Sequence, residues 1–191
     1  MKVASGIYKG HPLIAPSGLT TRPMAAKVKE ALFDILGPFG SEQIVLDLFA
    51  GTGSLGIEAI SRGAKGAVFV EQNRAALNVL YKNLYNLKLA DNKQIQVIEQ
   101  SVQKTIPKLS MVFDVIFVDA PYYAGILGDV LAQLGQAKQG CLIGPHTVVM
   151  AQHPHKSLPN APIPVSDYGK LQRTSSRTYG QSTLSFYMLR E

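Results

Sequence analysis

Residues 119–122, Asp-Ala-Pro-Tyr, combine three groups that are suited to chemistry. They follow the apolar run VFDVIFV, which predicts a buried strand that ends at Asp119. A carboxylate accepts hydrogen bonds, a proline stiffens the turn and an aromatic ring offers a face for stacking. The pattern is typical of the wall of a reaction site, although an ordinary strand end also fits it.

A glycine-rich loop lies earlier in the chain, within DLFAGTGSLG. Gly51, Gly53 and Gly56 match the GxGxxG spacing, which lets a strand turn sharply into a helix and lets a ligand approach the backbone. Glu71 ends the next apolar run, where a carboxylate is able to accept both hydroxyls of a ribose. The glycines alone leave open a turn made only for packing, but the added acid favours a cofactor site.

Asp47, at the end of the strand before this loop, narrows the choice of cofactor. A carboxylate there would repel the pyrophosphate of a dinucleotide, whereas it pairs favourably with an ammonium group. S-adenosylmethionine carries ribose hydroxyls, an ammonium and a sulfonium, and it has no phosphate. The sequence therefore favours this cofactor over NAD, and an NAD-dependent oxidoreductase is the least favoured interpretation.

The elements that must position these residues alternate along the chain from Ile44 onward. Strands that are apolar on both faces, separated by segments of helical period, predict a parallel sheet covered on both sides. The predicted strands are IVLDLF, AVFVE, QIQVIE, VFDVIFVD, HTVVMAQH and TLSFYML. The predicted helices are residues 54–62, a segment that Asn73 caps and that buries Leu77, Leu80, Tyr81, Leu84 and Leu87, and residues 125–136. The last β segments have no helix between them, which predicts an antiparallel pair at the sheet edge.

The first 40 residues predict a small extension to this core. VASGIY and PLIA flank Lys9-Gly10-His11 and are expected to form a hairpin. A helix is expected to begin near Pro23 and to end at Gly37-Pro38. Its apolar stripe is Val28, Ala31, Leu32, Ile35 and Leu36. We expect one domain over residues 1–191, with an extension at 1–40 and a core at 41–191.

Composition limits the class of protein. A chain of 191 residues with 46% hydrophobic content is able to bury one sizeable core. The net charge of +6 favours a polyanionic partner, although surface lysine without a partner also explains it. There is no apolar run of membrane-spanning length and no signal-peptide core, so a cytoplasmic protein without a membrane partner is expected.

Cysteine and histidine residues are too few and too isolated in the sequence to predict a disulfide or a metal site. Cys141 is the single cysteine, so it has no internal disulfide partner, and we expect it to be a buried small apolar residue. His153 and His155 form an HxH pair, but no third ligand lies near them in the sequence. No metal is expected.

The chain resembles the RsmD-type family of methyltransferases, which modify the exocyclic N2 of a guanine in bacterial small-subunit 16S rRNA. The resemblance covers nearly the whole chain, and TRP followed by VKEALF is its most specific part. The matching stretches are GIYKGHPL, TTRPMAAKVKEALFDIL, DLFAGTGSLGIEAISRGA, FVEQNRAA, FDVIFVDAPYYAG and YGQSTLSFY. It implies a class I S-adenosylmethionine-dependent methyltransferase fold, which is α/β and Rossmann-like. Its seven-stranded, mostly parallel sheet has one antiparallel strand, and a small hairpin and helix precede it.

The resemblance also implies site residues. The catalytic turn is Asp119, Ala120, Pro121 and Tyr122, and the cofactor contacts are Asp47, Phe49, Gly51, Gly53, Glu71, Gln72, Ser101 and Val102. Two positions depart from the family pattern: Ala120 replaces the first proline of DPPY or NPPY, and Ser101-Val102 replace an acid followed by alanine. We expect a looser turn with retained function.

Basic residues near the start of the chain are candidates for contact with RNA phosphates. Arg22, with Lys27 or Lys29, precedes the core, and Lys9 lies on the hairpin. A solvated helix face is the alternative for the lysines. The expected partner is 16S rRNA or the assembling small ribosomal subunit.

The sequence predicts an rRNA guanine-N2 methyltransferase, and two alternatives remain open. One is a methyltransferase that acts on an amino group of another nucleic acid or of a protein amide. The other is an rRNA-binding assembly factor that keeps the fold with weakened or lost catalysis.

Overall fold

A computed structural model of the chain describes residues 1–15, 24–122, 125–137, 141–157 and 162–190. These residues group into two compact units, Met1–Ser101 and Val102–Glu191. Arg22 and Pro23, with the rest of the TRP motif, lie outside the described residues. The single domain with a boundary after residue 40 stays a prediction.

Helices and strands alternate as predicted up to the strand that begins at Leu142, and the short helix at Val102–Thr105 was not predicted. The helices are α1 (Ala26–Leu36), α2 (Ser54–Ser61), α3 (Arg74–Asn86), α4 (Val102–Thr105), which a 3-10 turn at Ile106–Lys108 extends, and α5 (Leu127–Gln136). The strands are β1 (Ile44–Asp47), β2 (Gly66–Val70), β3 (Ile95–Ile98), β4 (Val112–Val118), β5 (Leu142–Pro154), β6 (Asp167–Tyr168), β7 (Leu171–Tyr179) and β8 (Ser182–Leu189). Over the described ranges, no helix has both the length and the apolar character needed to cross a membrane.

The first unit is built on a parallel arrangement of three strands. β2 lies between β1 and β3 and pairs with each of them in parallel. Every residue of β2 is buried, as expected for an inner strand that is covered on both faces. Because parallel strands end at the same edge, Asp47 and Glu71 follow neighbouring strands at one edge of this sheet.

The second unit combines parallel and antiparallel pairing. β4 pairs with β5 in parallel, and β5, β8, β7 and β6 then pair successively as antiparallel neighbours. The predicted antiparallel pair is therefore confirmed, as β5 and β8. The sequence did not predict β6 and β7, and the described residues contain eight strands where seven were expected. Cys141, expected to be buried, is partly exposed just before β5.

The N-terminal hairpin is reduced to a single antiparallel bridge, between Lys2 and Pro12. The chain doubles back as predicted, because the Gly10 amide donates to the carbonyl of Val3. The predicted strand VASGIY is wrong in its second half, since its amides bond to α2 instead: the Ile7 amide donates to the carbonyl of Ser61 at 2.8 Å. Hydrogen bonds to α2 thus take the place of strand pairing in this part of the segment.

Four residues show how the buried faces of α1 and α3 differ from the predicted stripes. Lys29 is buried in α1, whereas Ile35 is 45% exposed. In α3, Tyr81 is 43% exposed, and Asn83 is buried instead. Lys29 and Asn83 are able to be buried because an ion pair or hydrogen bonds with distant residues compensate them for the loss of water.

Candidate active site

The loop after β1 turns into α2 through glycines that serve different purposes. Gly51 and Gly53 both have a positive φ, of 54° and 81°, which side chains other than glycine rarely adopt. A Cβ on Gly51 would have only the Phe49 carbonyl oxygen within reach, at 3.9 Å, so the surface over Gly51 is open. A Cβ on Gly56 would lie 2.3 Å from the Phe69 ring, so Gly56 allows α2 to pack on β2. Gly51 is the position that leaves room for a ligand.

Glu71 holds this loop by its backbone. Its Oε2 accepts a hydrogen bond from the Gly51 amide at 2.8 Å. Its Oε1 accepts from the amides of Gln72 and Asn73, at 2.9 and 2.7 Å. A carboxylate offers about four lone-pair positions, so it keeps acceptor capacity for a hydroxyl. The predicted neighbourhood of Gly51 and Glu71 is present.

Asp47 lies beneath the loop and is 1% exposed. Its Oδ2 accepts a hydrogen bond from the Gly56 amide at 3.2 Å, in the first turn of α2. A carboxylate near the start of a helix is stabilised by the helix dipole. Asp47 therefore helps to fix the junction between loop and helix, and its contact with an ammonium stays a prediction.

The other predicted cofactor contacts differ in their exposure. Gln72 is exposed, Phe49 and Ser101 are partly buried, and Val102 is buried at 4% exposure as the first residue of α4. A buried Val102 is able to offer only part of its apolar surface to a ligand. Ser101 follows β3, where a hydroxyl is able to accept a hydrogen bond.

In the second unit, β4 ends at Val118, and Asp119 directly follows it as predicted. Burial raises the pKa of the Asp119 carboxyl to about 7. A carboxyl with such a pKa is close to balance between its two protonation states at neutral pH, which suits an exchange of protons or a strong hydrogen bond. Ala120 is buried, and Pro121 is exposed.

Tyr122 is held by two polar residues of the second unit. Gln152 Nε2 donates to the Tyr122 hydroxyl at 2.8 Å, and Ser182 Oγ lies 3.3 Å from the same oxygen. Because Gln152 donates, the hydroxyl is free to give its own proton to Ser182. Burial raises the pKa of Tyr122, hydrogen bonds to Ser182 and Gln152 oppose the rise, and the Asp119 charge adds to it. The ring orientation is thereby fixed from its hydroxyl end.

A shallow concavity lies beside this turn. Residues 120–122, the beginning of α5 and the end of β5 form its walls. The lining residues are Ala120, Pro121, Tyr122, Gly125, Ile126, Leu127, Gly128, His153, Pro154 and Pro162.

His153, at one wall of the concavity, uses both ring nitrogens in hydrogen bonds. Nδ1 lies 2.9 Å from the Pro154 carbonyl, so it must be the donor, and Nε2 then accepts from the Ser185 hydroxyl at 2.9 Å. Burial lowers the pKa of His153, which keeps the ring neutral. In the part of the chain that the structure describes, no cluster of three or more His, Cys, Asp or Glu residues is placed to hold a metal ion.

The basic residues proposed for RNA contact fall into two groups. Lys9 and Lys27 are exposed. The alternative candidate Lys29 is wrong, because its ammonium is buried 3.1 Å from Glu58 Oε2. Arg22 lies outside the described residues.

Sequence reasoning missed the residues that support the site. Gln152 lies within the apolar run of β5, and Asn83 lies on the buried side of α3. The sequence signal for both was a polar residue at a position that faces the core. This signal does not identify their hydrogen-bond partners, which are distant in the chain.

The model of the family described as Conserved hypothetical protein 95 matches residues 1–188. The chain belongs to this family. Among curated proteins, YlbH of Bacillus subtilis is 34% identical over 194 residues, which cover 100% of both chains. Ribosomal RNA small subunit methyltransferase D of Haemophilus influenzae is 36% identical over 136 residues, which cover 70% of each chain.

The chain resembles solved structures along its whole length. The yhhF structure from Escherichia coli superposes with a TM-score of 0.79 at 27% identity, covering 100% of this chain and 98% of that one. These findings confirm the predicted RsmD-type family. They also confirm an α/β methyltransferase fold with a mostly parallel sheet and an antiparallel edge.

Proposed function

We propose that this protein transfers a methyl group from S-adenosylmethionine to the exocyclic N2 of a guanine in bacterial small-subunit rRNA. The observation that carries the proposal is the turn after β4, where a carboxyl with a pKa near 7 directly precedes a proline and an anchored tyrosine. Membership of a family whose relatives include rRNA methyltransferases supports it. We further propose that residues 1–191 act as one methyltransferase domain.

The glycine loop and Glu71 would bind the cofactor. The open surface over Gly51 and the spare acceptor capacity of Glu71 fit a ribose, and the acid at Asp47 disfavours a phosphate in the same place. When bound, the cofactor supplies an activated methyl group on a sulfonium. Phe49, Gln72, Ser101 and Val102 would complete the adenosine contacts.

Asp119 would orient the amine to be methylated. The lone pair of a guanine amine is delocalised into the ring, so the protein must position it. The Asp119 carboxylate and the main-chain carbonyl of Ala120 would accept the two N–H bonds and direct the lone pair outward. Because an N–H donor favours the ionised carboxyl, a bound amine would lower the pKa of Asp119 from its value near 7.

Tyr122 would stack on the base. Base stacking on an aromatic side chain contributes about 1–3 kcal/mol. The bonds from its hydroxyl to Gln152 and Ser182 reduce the entropy lost when the ring is immobilised. A base held in this way must have left its stack or be unpaired.

The basic surface would hold the RNA backbone. Lys9 and Lys27 are exposed, and the net charge of +6 attracts a polyanion. Arg22, next to Pro23 in the TRP motif, is the third proposed contact.

The test is methyl transfer from labelled cofactor to unmodified 16S rRNA, alone and in assembled small subunits, followed by mapping of the methylated base. We expect the label on N2 of one guanine. Asp119→Ala removes the acceptor and should abolish transfer while keeping cofactor binding, whereas Asp129→Asn changes an exposed carboxyl on α5 and should leave transfer intact. Absence of label on guanine in both substrates, or full transfer by Asp119→Ala, would contradict the proposal.

Ala120 and Ser101 depart from the family pattern, and this favours a second candidate function, an rRNA-binding assembly factor with weakened catalysis. Tight binding of rRNA and cofactor without transfer would favour it. Label on another nucleic acid or on a protein amide would instead favour the broader class of amino-group methyltransferases.

A further inference from the structure

Two buried polar side chains connect the glycine loop, residues 48–53, to the N-terminal segment, residues 1–15. Asn83 of α3 bonds to both, and Lys29 of α1 bonds both to the segment and to the first residue after the loop. The two connections reach opposite ends of the segment, at Ile14 and Lys2.

Asn83 uses its whole amide group in this connection. It is 1% exposed. Its Oδ1 accepts from the Ile14 amide at 2.8 Å, and its Nδ2 donates to the carbonyl of Ile14 at 3.2 Å and to the carbonyl of Thr52 at 2.9 Å. Thr52 lies between Gly51 and Gly53, so one side chain fixes both the loop and the end of the segment.

Lys29 makes the second connection, and it does so beside Glu58, with which it forms an ion pair. Its ammonium lies 3.3 Å from the carbonyl of Lys2 and 3.2 Å from the hydroxyl of Ser54, the first residue of α2. Glu58 is fully buried and accepts from the amides of Ala4 and Ser5, at 2.8 and 3.0 Å. Burial alone would raise the pKa of Glu58, but the bond from Ala4 and the charges of Lys29 and Arg62 hold it below its ordinary value.

The N-terminal segment depends on these bonds for its docking. It folds back on itself through backbone bonds of its own, such as that from the Val3 amide to the His11 carbonyl at 3.0 Å. The amides of Ala4, Ser5 and Ile14 instead donate to Glu58 and Asn83. Separation of the segment from α2 and α3 would leave buried polar groups without partners, which is costly.

We propose that Asn83 is a positioning residue that couples the cofactor loop to the N-terminal segment. A ligand that orders the loop at Thr52 favours the docked segment, and RNA bound at the segment favours the ordered loop by the same factor. This inference rests on the proposed function, because it takes the loop as the cofactor site and Lys9 of the segment as an RNA contact.

Hydrogen exchange of the full chain, with and without S-adenosylhomocysteine, tests the coupling. In the wild type, we expect the ligand to slow exchange of the Ala4, Ser5 and Ile7 amides, which donate to Glu58 and Ser61, by about fivefold or more, as for typical allosteric couplings. Asn83→Ala should abolish this slowing and weaken ligand binding by about tenfold. Asn83→Leu should do the same while filling the space, and Asn86→Ala, an exposed change on the same helix, should behave as the wild type.

The outcomes separate the coupling from the proposed function. Ligand binding by the wild type without slower exchange in the segment overturns the coupling, whatever the variants do. Ligand-dependent slowing that survives in folded Asn83→Leu also overturns it. No binding of S-adenosylhomocysteine by the wild type overturns the proposed cofactor, and the coupling with it.

A second readout distinguishes coupling from a general loss of stability. The affinity for a small-subunit rRNA fragment, measured with and without S-adenosylhomocysteine, should rise with ligand in the wild type and in Asn86→Ala. It should be independent of ligand in both Asn83 variants. Equal ligand dependence in all four proteins would contradict the inference.

Discussion

The glycine loop and the turn at residues 119–122 each follow a buried strand, but the surroundings of their carboxyl groups differ. At the loop, the Glu71 carboxyl accepts hydrogen bonds from three backbone amides, and the Asp47 carboxyl accepts one from α2. At the turn, burial raises the pKa of the Asp119 carboxyl to about 7. Carboxyl groups that accept from backbone amides fix the shape of the loop, whereas the carboxyl at the turn titrates near neutral pH.

The tyrosine of the turn extends this comparison. Side chains on neighbouring strands, Gln152 and Ser182, fix the Tyr122 hydroxyl, while the loop is fixed by main-chain groups. A loop held through its main chain tolerates changes of side chain except where glycine is needed. A turn held through side chains is sensitive to each of them.

The largest effect is expected from Asp119→Ala, which removes the acceptor that is proposed to orient the amine. Methyl transfer should fall by at least about a hundredfold, the scale of a misplaced reacting group. Asp119→Asn keeps an acceptor oxygen but has no ionisable carboxyl, so it should stabilise the fold at high pH. Activity assays, together with urea unfolding from pH 4 to pH 8, measure both effects.

The sign of the stability effect follows from the raised pKa of Asp119. Below about pH 4 the carboxyl is protonated in both the folded and the unfolded state. Between about pH 4 and pH 7 only the unfolded state ionises, so the free energy of unfolding falls as pH rises, by at most about 4 kcal/mol. Asp119→Asn should therefore be more stable than the wild type at pH 8 and similar at pH 4. An equal difference at both pH values would contradict the shift.

Glu71→Gln tests the loop side of the comparison. The amide keeps one acceptor oxygen but places an NH2 group opposite a backbone donor, so the loop should lose its bond to Gly51. We expect binding of S-adenosylhomocysteine, measured by calorimetry, to weaken by about ten- to a hundredfold, the scale of a charged hydrogen bond. Glu99→Gln is the control, because Glu99 also follows a strand of the first unit but bonds only to exposed side chains. Equal losses in both variants would contradict the role of Glu71.

A pair of glycine variants separates packing from ligand approach. Gly56→Ala should lower the free energy of unfolding by about 1–3 kcal/mol, because its Cβ would overlap the Phe69 ring. Gly51→Ala should cost only about 1 kcal/mol, from its positive φ, but it should weaken cofactor binding. Thermal unfolding should show the larger loss for Gly56→Ala, and calorimetry of ligand binding should show the larger loss for Gly51→Ala. The prediction is contradicted if one variant has the larger loss in both assays.

Ala120→Pro should have the smallest effect. Pro121 already biases residue 120 toward extended geometry, so the added ring should change stability or transition-state binding by less than about 1 kcal/mol. Steady-state kinetics should show transfer within about fivefold of the wild type. A much faster variant would show that the alanine limits catalysis.

The sequence predicted what local pattern determines. Asn73 caps α3 by accepting from the amides of Ala75 and Ala76, and the strand that ends at Asp119 is present. Each depends on residues within a few positions of one another. The same holds for the turn of the glycine loop, which needs positive φ at Gly51 and Gly53.

What the sequence missed depends on partners that are distant in the chain. Lys29 looked like a solvated lysine, because its partner Glu58 lies two elements later. The strand β7 was not predicted, because LQRTSSRTY is mostly exposed and polar and shows no apolar strand pattern. Tyr81 fits an apolar stripe, but its hydroxyl bonds to Glu99 at 2.9 Å, which keeps the residue at the surface.

The anchoring of the N-terminal segment has a consequence during protein synthesis. The amides of Ala4, Ser5 and Ile14 leave the ribosome long before their acceptors on Glu58 and Asn83 are made. Contacts of such long sequence separation carry a loop-closure cost and form late. The basic start of the chain, with Lys2 and Lys9, therefore docks only after α2 and α3 have been made.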